Sequence, residues 1–255
     1  MSRTVHVHLL PDLIPVGAVV GQTAVIIDVL RASSTIVTAL ENGASAVIPC
    51  GDPAEARRLR ETASSNDVLL GGERHGVRIE GFDLGNSPAE YSPSVVAGRR
   101  IVFTTTNGTR ALLKCHDAGQ IVIGCWLNLA SLAAWLSEGT GEVHLVCAGT
   151  DRIISGEDVL AAGAIVQELE KLLNGGLHMN DSAVIARNAA AQLLNAAENP
   201  NAILADYFAT TQGGRNLIAI NQQADLALCA AISSSPCIPL LDSRSGELRI
   251  ARVVD

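Results

Sequence analysis

The chain has few aromatic residues and few charged ones. Of 255 residues, 3% are aromatic and 17% are charged, whereas 48% are hydrophobic. Small aliphatic residues must therefore build the interior, and the chain is long enough for one large core or two lobes that share an interface. The formal net charge is −8. This balance argues against nucleic-acid binding, which relies on clustered Lys and Arg, and favours a small-molecule partner.

The sequence also lacks paired cysteines and long apolar runs. Its six cysteines are spread along the chain without a CxxC pair. This spacing is typical of small buried residues in a reducing compartment rather than of a disulfide frame or a zinc knuckle. The N-terminal MSRTVHVHLLPD has no signal-peptide core, and no apolar run reaches the roughly 18 residues of a membrane span. We therefore expect a cytoplasmic protein without a membrane partner.

Short β-type runs alternate with helical patterns through the first two thirds of the chain. Several runs are apolar throughout, which is typical of strands covered on both faces. This alternation predicts a three-layer α/β/α fold with a mainly parallel or mixed sheet. From about residue 155 the pattern becomes mostly helical, before a last strand pair, CIPLLD and ELRIARV. The earlier runs are TVHVHLL, TAVIIDVL, ASAVIPC, NDVLLG, RRIVFTT, QIVIG and EVHLVCAG.

No repeat of fixed period, low-complexity tract or flexible linker divides the chain. We expect residues 1–255 to form a single unit, in which any lobes, at about 1–150 and 151–255, are closely joined. The alanine-rich helices at 155–197 would bury either a homodimer face or an internal core, and composition does not separate the two. The predicted helix N-caps are Asp52, Ser87, Asp181 and Asn199, each followed by a helical run.

Polar, glycine-rich sequence follows four of the predicted strands. Ligands of open α/β sheets bind beyond the carboxyl ends of the strands, so we expect a site in these segments. They are RASST, GGERHGVRIEGFDLGNSP, TTTNGTR, and the run Thr150, Asp151 and Arg152. The second segment, residues 71–88, shows neither a strand nor a helix period and is predicted to be a long functional loop.

Two of these segments are typical of an anion site. RASST opens a helix, whose N-terminal N–H groups and partial positive charge favour an anion. TTTNGTR also joins a strand to a helix, and it adds hydroxyls, a glycine for close backbone approach and an arginine for bidentate contact. Each alone is equally well explained as a capped helix start. Neither is a P-loop, because the GK[ST] ending is absent.

Carboxylates near the same strand ends indicate a divalent cation. Asp28 lies inside an apolar run, where a charge is costly unless it is paired or binds a metal. Oxygen ligands suit Mg²⁺, which takes one or two carboxylates and completes its shell with water and substrate phosphate. For each of the other acids alone, a surface or capping role is the commoner explanation. Those acids are Glu73, Asp83, Asp151, Glu157 and Asp158.

Three histidines are further candidates. His6 and His8 alternate on one strand, so they either face a metal together or are ordinary half-buried strand histidines, which is the commoner case. His75 is an acid/base candidate by its position in the loop alone.

Four blocks, in this order, resemble one protein family. They are VIIDVLRASSTIVTALENGA, LLGGERHGVRIEGFDLGNSPAEY, IVFTTTNGTRAL and VCAGTDRIISGEDVLAAG, with a weaker echo in GGRNLIAINQQADLALCA and CIPLLD. From about Ala24 to Gly163 the chain is similar to the 2-phosphosulfolactate phosphatase family, also called ComB. The resemblance implies a Mg²⁺-dependent phosphatase that converts (2R)-2-phospho-3-sulfolactate to 3-sulfolactate and phosphate on the route to coenzyme M. It also implies an α/β fold of two lobes with the site between them.

The resemblance suggests metal-assisted phosphoryl transfer to water. Asp28 and Glu73, with Asp151 or Asp158, would hold Mg²⁺ at the phosphate, while Arg31 offsets the developing charge. The predicted catalytic residues are therefore Asp28, Glu73 and Arg31. Asp28 or a serine of RASST acting as a nucleophile remains an alternative. The predicted substrate-binding residues are Arg31, Ser33, Ser34, Arg74, Thr105, Thr106, Asn107, Gly108 and Arg110, and Arg152 also follows a strand end.

Two other functions are compatible with the same residues. A non-catalytic binding protein for a phosphorylated or sulfonated metabolite would use the same anion segments without turnover. An enzyme that isomerises or cleaves a sugar phosphate would use the same scaffold, because a fold does not determine its chemistry.

Overall fold

The computed structural model of the protein describes residues 2–63, 67–194 and 197–251. Strands and helices alternate along most of this length. The strands are β1 (Arg3–His8), β2 (Thr23–Ile27), β3 (Ala46–Pro49), β4 (Val68–Arg74), β5 (Val77–Arg78), β6 (Arg100–Thr104), β7 (Gln120–Gly124), β8 (Val143–Cys147), β9 (Leu177–Met179), β10 (Pro239–Asp242) and β11 (Glu247–Ile250). The helices are α1 (Ala32–Glu41), α2 (Pro53–Glu61), α3 (Pro93–Val96), α4 (Gly108–Lys114), α5 (Leu129–Glu138), α6 (Gly156–Leu172), α7 (Asp181–Leu194), α8 (Pro200–Thr210), α9 (Gln212–Ala219) and α10 (Ala224–Cys229).

The strands form one mixed sheet in the order β5-β4-β6-β3-β11-β10-β7-β2-β8-β1-β9. One parallel block contains β4, β6 and β3, and a second contains β7, β2, β8, β1 and β9. The antiparallel hairpin β10–β11 joins the blocks by pairing with β7 on one side and β3 on the other. The predicted mainly parallel sheet is confirmed. The division into two lobes stays a prediction, and the last strand pair lies within the sheet.

Helices cover both faces of the sheet. Val25 and Ile27 of β2 lie in a core with residues of α5 to α10, whereas Ala24 and Ile26 lie in a second core with α1, α3 and α4. A smaller third core packs α2 against β4 and β6. Because alternate residues of a strand point to opposite faces, this distribution confirms the three-layer α/β/α fold.

The alanine-rich helices α6 and α7 pack against each other within the chain. Ala183, Ala186 and Ala190 of α7 are fully buried. A side chain at Gly163 of α6 would overlap the backbone of Ala186, so the two helix backbones approach closely. These faces therefore form internal core, and the homodimer stays a prediction.

Two of the four predicted N-caps are confirmed. Asp52 accepts a hydrogen bond from the amide of Glu55 (2.8 Å), and Asn199 accepts one from Ala202 (3.2 Å). Ser87 precedes only a short 3-10 turn, Pro88–Glu90, and its side chain makes no capping bond because its hydroxyl donates to Asp225. The prediction of Asp181 is wrong, because Asn180 accepts the amide of Ala183 at 2.9 Å. The Asn180 side chain also bonds the backbone of Val7 in β1, and this tertiary pairing sets the start of α7 one residue earlier than the local pattern indicates.

The predicted loop at residues 71–88 is wrong over its first part. β4 continues through Gly71, Gly72 and Glu73 to Arg74, and then turns back into the short β5. Gly72 has φ +144°, and a side chain there would overlap the backbone of Thr104 in β6. Glycine is needed here because the two strand backbones approach closely. Since glycine has a low strand propensity, this part of β4 could not be predicted from residue propensities.

The six cysteines are buried and free, which confirms that they do not form a disulfide frame. Within the described ranges, no helix combines the length and apolar character needed to cross a membrane.

Candidate active site

A cleft of about 330 Å³ opens at the carboxyl ends of β2, β4, β6 and β8. Asp28 follows β2, Glu73 belongs to β4, Thr106 follows β6 and Asp151 follows β8, and all four line the cleft. Helix α9 contributes the opposite wall. The four polar segments singled out in the sequence therefore meet, as expected for ligand sites of α/β sheets.

Residues that follow distant strands of the sheet come together in the cleft. β2 and β6 are separated by four other strands, which would place them about 24 Å apart in a flat sheet at about 4.8 Å per step. Yet a Cβ atom at Gly108, just after β6, would lie 3.0 Å from Oδ2 of Asp28, just after β2. The cleft thus lies where the two parallel blocks approach each other, and the absence of a side chain at Gly108 permits that approach.

Asp28 is buried directly beyond the end of β2 rather than inside the strand. Its carboxylate lies beside the first amides of two helices, Ala32 of α1 (3.4 Å) and Gly108 of α4. Burial, together with the nearby carboxylates of Glu73 and Glu157, nevertheless raises the pKa of Asp28 to about 7. The two helix N-termini predicted to bind the substrate anion therefore face Asp28 itself.

Backbone amides fix the position of Glu73. Its Oε1 accepts from the amide of Thr106 and its Oε2 from the amide of Gly76, both at 2.8 Å. The hydroxyl of Thr106 adds a longer bond of 3.4 Å to Oε2. A carboxylate has about four lone-pair positions, so these bonds orient Glu73 and leave it able to ligate a cation.

A buried ion pair fixes Arg31 at the cleft wall. Its Nη1 donates to Oδ2 of Asp225 (2.6 Å) and its Nη2 to the carbonyl of Gly76 (2.9 Å). The hydroxyl of Ser87 donates to the other carboxylate oxygen of Asp225 at 2.7 Å. Asp225 thus positions the guanidinium, and charge-assisted bonds of this kind hold a fixed geometry.

Sequence reasoning missed Asp225 and the α9 wall. Asp225 lies in α10, 194 residues from Arg31, and no local pattern distinguishes it from an ordinary first-turn acid. Gly213 and Asn216 of α9 also line the cleft. The sequence offered one signal for them, the weaker echo GGRNLIAINQQADLALCA, in which all three residues lie.

The donor set and the charge balance of the cleft fit a divalent cation. Asp28, Glu73 and Asp151 line it, and over the part of the chain that the structure describes Arg31 is the one arginine or lysine among its lining residues. Neighbouring buried carboxylates are costly unless a cation neutralises them. All three offer hard oxygen ligands, which suit Mg²⁺.

Two buried polar atoms close to these carboxylates have no protein partner, Oδ1 of Asn86 and Oγ1 of Thr105. Asn86 lines the cleft, and Thr105 Oγ1 lies beside Gly108. Because buried polar atoms are nearly always hydrogen-bonded, these two indicate that a ligand or water completes the site.

The two serines of RASST lie outside the cleft lining. Ser33 accepts the amide of Asp28 (2.9 Å) and donates to the carbonyl of Ile26 (3.2 Å). Ser34 donates to the carbonyl of Val29 at 2.9 Å. Both hydroxyls therefore shape the turn between β2 and α1, an arrangement that does not favour a serine nucleophile.

The remaining predicted arginines also lie outside the lining. Arg74 donates to its neighbour's carbonyl, that of Glu73 (2.7 Å), and to Oγ1 of Thr104 (3.1 Å). Arg110 lies 3.8 Å from a carboxylate oxygen of Asp12, and Arg152 is exposed. The structure thus brings one of the four arginines to the cleft. Of the other predicted substrate contacts, Thr106 and Asn107 line the cleft, while Thr105 and Gly108 lie just behind it.

The acids at the start of α6 are buried behind the cleft. Asp158 accepts the amides of Val29 (2.8 Å) and Gly149 (3.0 Å), so it connects the loops that follow β2 and β8. Burial and the Glu157 and Asp28 carboxylates raise its pKa well above the ordinary value, and burial also raises the pKa of Glu157. These bonds indicate a structural role for Asp158.

Asp83 lies apart from the cleft. It accepts the amide of Leu70 at 2.8 Å and pairs with Arg60 at 3.1 Å, so it connects β4 to α2. His75 lines the cleft from an exposed turn, with φ +53°.

A compact group of three metal-ligating side chains lies outside the cleft, on β1 and at the amino end of β8. Among the residues that the structure describes, His6, Glu142 and His144 are the one such group, with ligand atoms within 4.8 Å of one another. Among the same residues, the cleft carboxylates do not form such a group of three, whereas Mg²⁺ usually takes only one or two carboxylates.

Comparison with known proteins gives a consistent result. A family model described as 2-phosphosulpholactate phosphatase matches residues 8–244. A protein of Deinococcus radiodurans named "Probable 2-phosphosulfolactate phosphatase" is 38% identical over 250 residues, which cover 96% of this chain and 97% of that protein. An identically named protein of Symbiobacterium thermophilum is 37% identical over 226 residues, which cover 89% of this chain and 94% of that protein. Another, of Caldanaerobacter subterraneus subsp. tengcongensis, is 48% identical over 151 residues, which cover 59% of this chain and 63% of that protein.

Proposed function

The chain belongs to the 2-phosphosulfolactate phosphatase family, and from this premise we propose that it hydrolyses (2R)-2-phospho-3-sulfolactate to 3-sulfolactate and phosphate. The observation that carries the proposal is the pairing of two buried carboxylates, Asp28 and Glu73, at a cleft that also holds a fixed guanidinium, that of Arg31. The cleft is small, which suits a substrate with a short carbon chain, and its charged and polar side chains face a partly apolar wall from α9.

Asp28 and Glu73 are the proposed Mg²⁺ ligands, and Asp151 at the same cleft is a further oxygen donor. When bound, Mg²⁺ supplies the positive charge that lets an anionic phosphomonoester approach these carboxylates and that offsets charge on the phosphoryl oxygens. Asp158, with both oxygens on backbone amides, keeps the proposed ligand loops in place.

Arg31 is the proposed contact for a phosphoryl oxygen. Asp225 and the Gly76 carbonyl hold its guanidinium before substrate arrives, so little reorganisation is needed as charge develops in the transition state. Thr106 and Asn107, on the loop before α4, are the proposed further contacts to the substrate's anionic groups.

Asn86 is suited to orient the attacking water. Its Oδ1 is buried at the cleft wall and accepts no hydrogen bond from the protein. The substrate's phosphate, sulfonate and carboxylate are acceptors when ionised, so water is the natural donor to this oxygen. We therefore favour direct attack by water, and an aspartyl-phosphate on Asp28 is the alternative that a rapid-quench search for a phosphorylated chain would reveal.

Inorganic phosphate release tests the proposal. The purified chain would be assayed with phosphosulfolactate, phospholactate, phosphoglycolate and an aryl phosphate, each with Mg²⁺ and with EDTA. We expect Mg²⁺-dependent release that is fastest with phosphosulfolactate. Binding without release would instead identify a metabolite-binding protein, product without free phosphate would identify an isomerase or lyase, and release in EDTA would exclude the metal mechanism.

A further inference from the structure

A second cavity, of about 260 Å³, lies at the amino end of β8 beside β1. Its wall carries His6, His8, Glu142 and His144. None of these residues lines the catalytic cleft, which lies beyond the opposite, carboxyl end of the same strand. The proposed phosphatase mechanism gives this group no role.

Strand register brings the three imidazoles together. His6 of β1 lies directly opposite His144 of β8 in the parallel pairing. His6 and His8 share a face of β1, because the intervening Val7 points into the core on the other face. The ring of His144 stacks at 4.8 Å from that of His6 and at 5.3 Å from that of His8.

Two of the three ligand-atom spacings are close to those of a tetrahedral metal site. Nε2 of His6 lies 3.2 Å from Oε2 of Glu142, and Nε2 of His144 lies 3.7 Å from the same oxygen. A tetrahedral zinc ion with bonds of about 2.0–2.1 Å has ligand-to-ligand edges of about 3.3 Å. The three ligand atoms lie within 4.8 Å of one another, so rotations that bring the two imidazoles closer together would complete the coordination sphere.

One nitrogen in this group points to a missing ligand. His144 is 2% exposed, and its Nε2 is buried without a hydrogen-bond partner. Unpaired buried nitrogens are rare in folded proteins, and a metal ion would satisfy this one through its lone pair.

His8 supports the tautomer that metal binding needs. Nδ1 of His144 lies 3.0 Å from Nε2 of His8. If Nδ1 of His144 donates to His8, its Nε2 is left unprotonated and free to ligate, which is the usual outer-shell arrangement of a metal-bound histidine.

We propose that His6, Glu142 and His144 form a binding site for a divalent transition metal of the zinc class, with His8 orienting His144. Two imidazoles and one carboxylate suit Zn²⁺ and its neighbours in the transition series better than Mg²⁺, which prefers oxygen ligands alone. Three protein ligands leave a fourth position that faces the cavity and would hold water. The metal would also cross-link β1 to β8.

Calorimetric titration of the tag-free, EDTA-treated chain with Zn²⁺ tests the site. We expect one tight site per chain, and a Zn²⁺ affinity at least about tenfold weaker in Glu142→Gln and in His6→Gln. Both residues are partly exposed, so these variants are expected to fold. Titration with Co²⁺ provides a spectroscopic readout, because a tetrahedral site gives strong visible absorption that the variants would lose.

Two control variants make the result specific. His116→Gln removes an exposed histidine that lies 3.1 Å from Asp117, a pair without a second imidazole, and should leave the tight site unchanged. Asp28→Asn alters the catalytic cleft and should also leave it unchanged. The absence of a tight site, its persistence in both Glu142→Gln and His6→Gln, or its loss in Asp28→Asn would overturn the proposal.

Discussion

The catalytic cleft and the histidine pocket, which is lined by His6, His8, Glu142 and His144, lie in different parts of the sheet and are built in different ways. At the cleft, acidic side chains lie at or just beyond strand ends, and backbone amides hold them, as the two 2.8 Å bonds to Glu73 show. At the histidine pocket, side chains project from within β1 and β8 and contact one another, as the 3.0 Å approach of His8 and His144 shows. Loop backbone therefore positions the first site, and strand register positions the second.

The difference has an energetic consequence. A buried carboxylate such as Asp28 is costly in its charged form until a cation arrives, whereas a buried imidazole avoids the cost by staying neutral. We therefore expect changes in the cleft to alter catalysis and pH stability, and changes in the histidine pocket to alter transition-metal binding with little effect on phosphate release.

The largest expected effect is the loss of activity in Asp28→Asn. The substitution keeps the side-chain shape and removes the charge of a proposed Mg²⁺ ligand, so Mg²⁺-dependent phosphate release should fall by about 10³-fold or more. The matched variant in the other pocket, Glu142→Gln, should retain activity within about twofold, since it lies far from the transferred phosphate. Equal losses of phosphate release in the two variants would contradict the assignment of catalysis to the cleft alone.

The next largest effect concerns the ion pair that positions Arg31. Asp225→Asn leaves a buried guanidinium without its charge partner, so the free energy of unfolding should fall by about 3–5 kcal/mol. Glu170→Gln removes the partner of Arg187 from a partly exposed pair and should cost less than about 1 kcal/mol. Urea denaturation measures both, and a small cost for Asp225→Asn would show that the pair does not fix Arg31.

In metal-free protein, the two pockets should contribute to the pH dependence of folding stability with opposite signs. The pKa of Asp28 is raised to about 7, so the folded chain holds a proton that the unfolded chain has lost, and this group lowers stability as pH rises from about 4 to about 7. The pKa of His8 is lowered to about 4, so the unfolded chain holds the extra proton, and this group raises stability as pH rises from about 4 to about 6.5.

Denaturation curves in EDTA across this range would measure the two opposite slopes. Asp28→Asn should remove the contribution that lowers stability as pH rises, and His8→Gln should remove the contribution that raises stability as pH rises. Identical pH profiles for the two variants would contradict the assignment of opposite signs to the two pockets.

The smallest expected effect is that of Thr106→Val. Its hydroxyl makes only the longer 3.4 Å bond to Glu73, while its amide, which the substitution keeps, makes the 2.8 Å bond. We expect kcat/KM to fall by less than about tenfold, in line with the loss of one weak hydrogen bond. A loss as large as that of Asp28→Asn would show that side chains rather than backbone amides hold the cleft carboxylates.

The difference between a site positioned by loop backbone and one positioned by strand register also decides what could be predicted from the sequence. The cleft could be predicted because its residues lie in short polar segments at or just after apolar strand runs, so that Asp28, Glu73 and Asp151 stand out against aliphatic neighbours. The strand inside GGERHG was missed because glycine, used for close backbone approach to Thr104, has low strand propensity.

Features that depend on contacts between residues distant in the chain could not be predicted from the sequence. Asp225 meets Arg31 across 194 residues, and His144 meets His6 only through the register of β1 with β8. The alternation of His6 and His8 was visible in the sequence, but their partner was not. The place of β10 and β11 between the two parallel blocks likewise follows from tertiary packing rather than from local pattern.

An anomalous diffraction measurement on crystals soaked with Mn²⁺, as a stand-in for Mg²⁺, tests the central claim most directly. We expect a peak in the cleft within about 2.0–2.2 Å of carboxylate oxygens of Asp28 and Glu73, close to the bond lengths of hard divalent cations. No peak in the cleft at a Mn²⁺ concentration that supports phosphate release would contradict the proposal that these two carboxylates hold the catalytic cation.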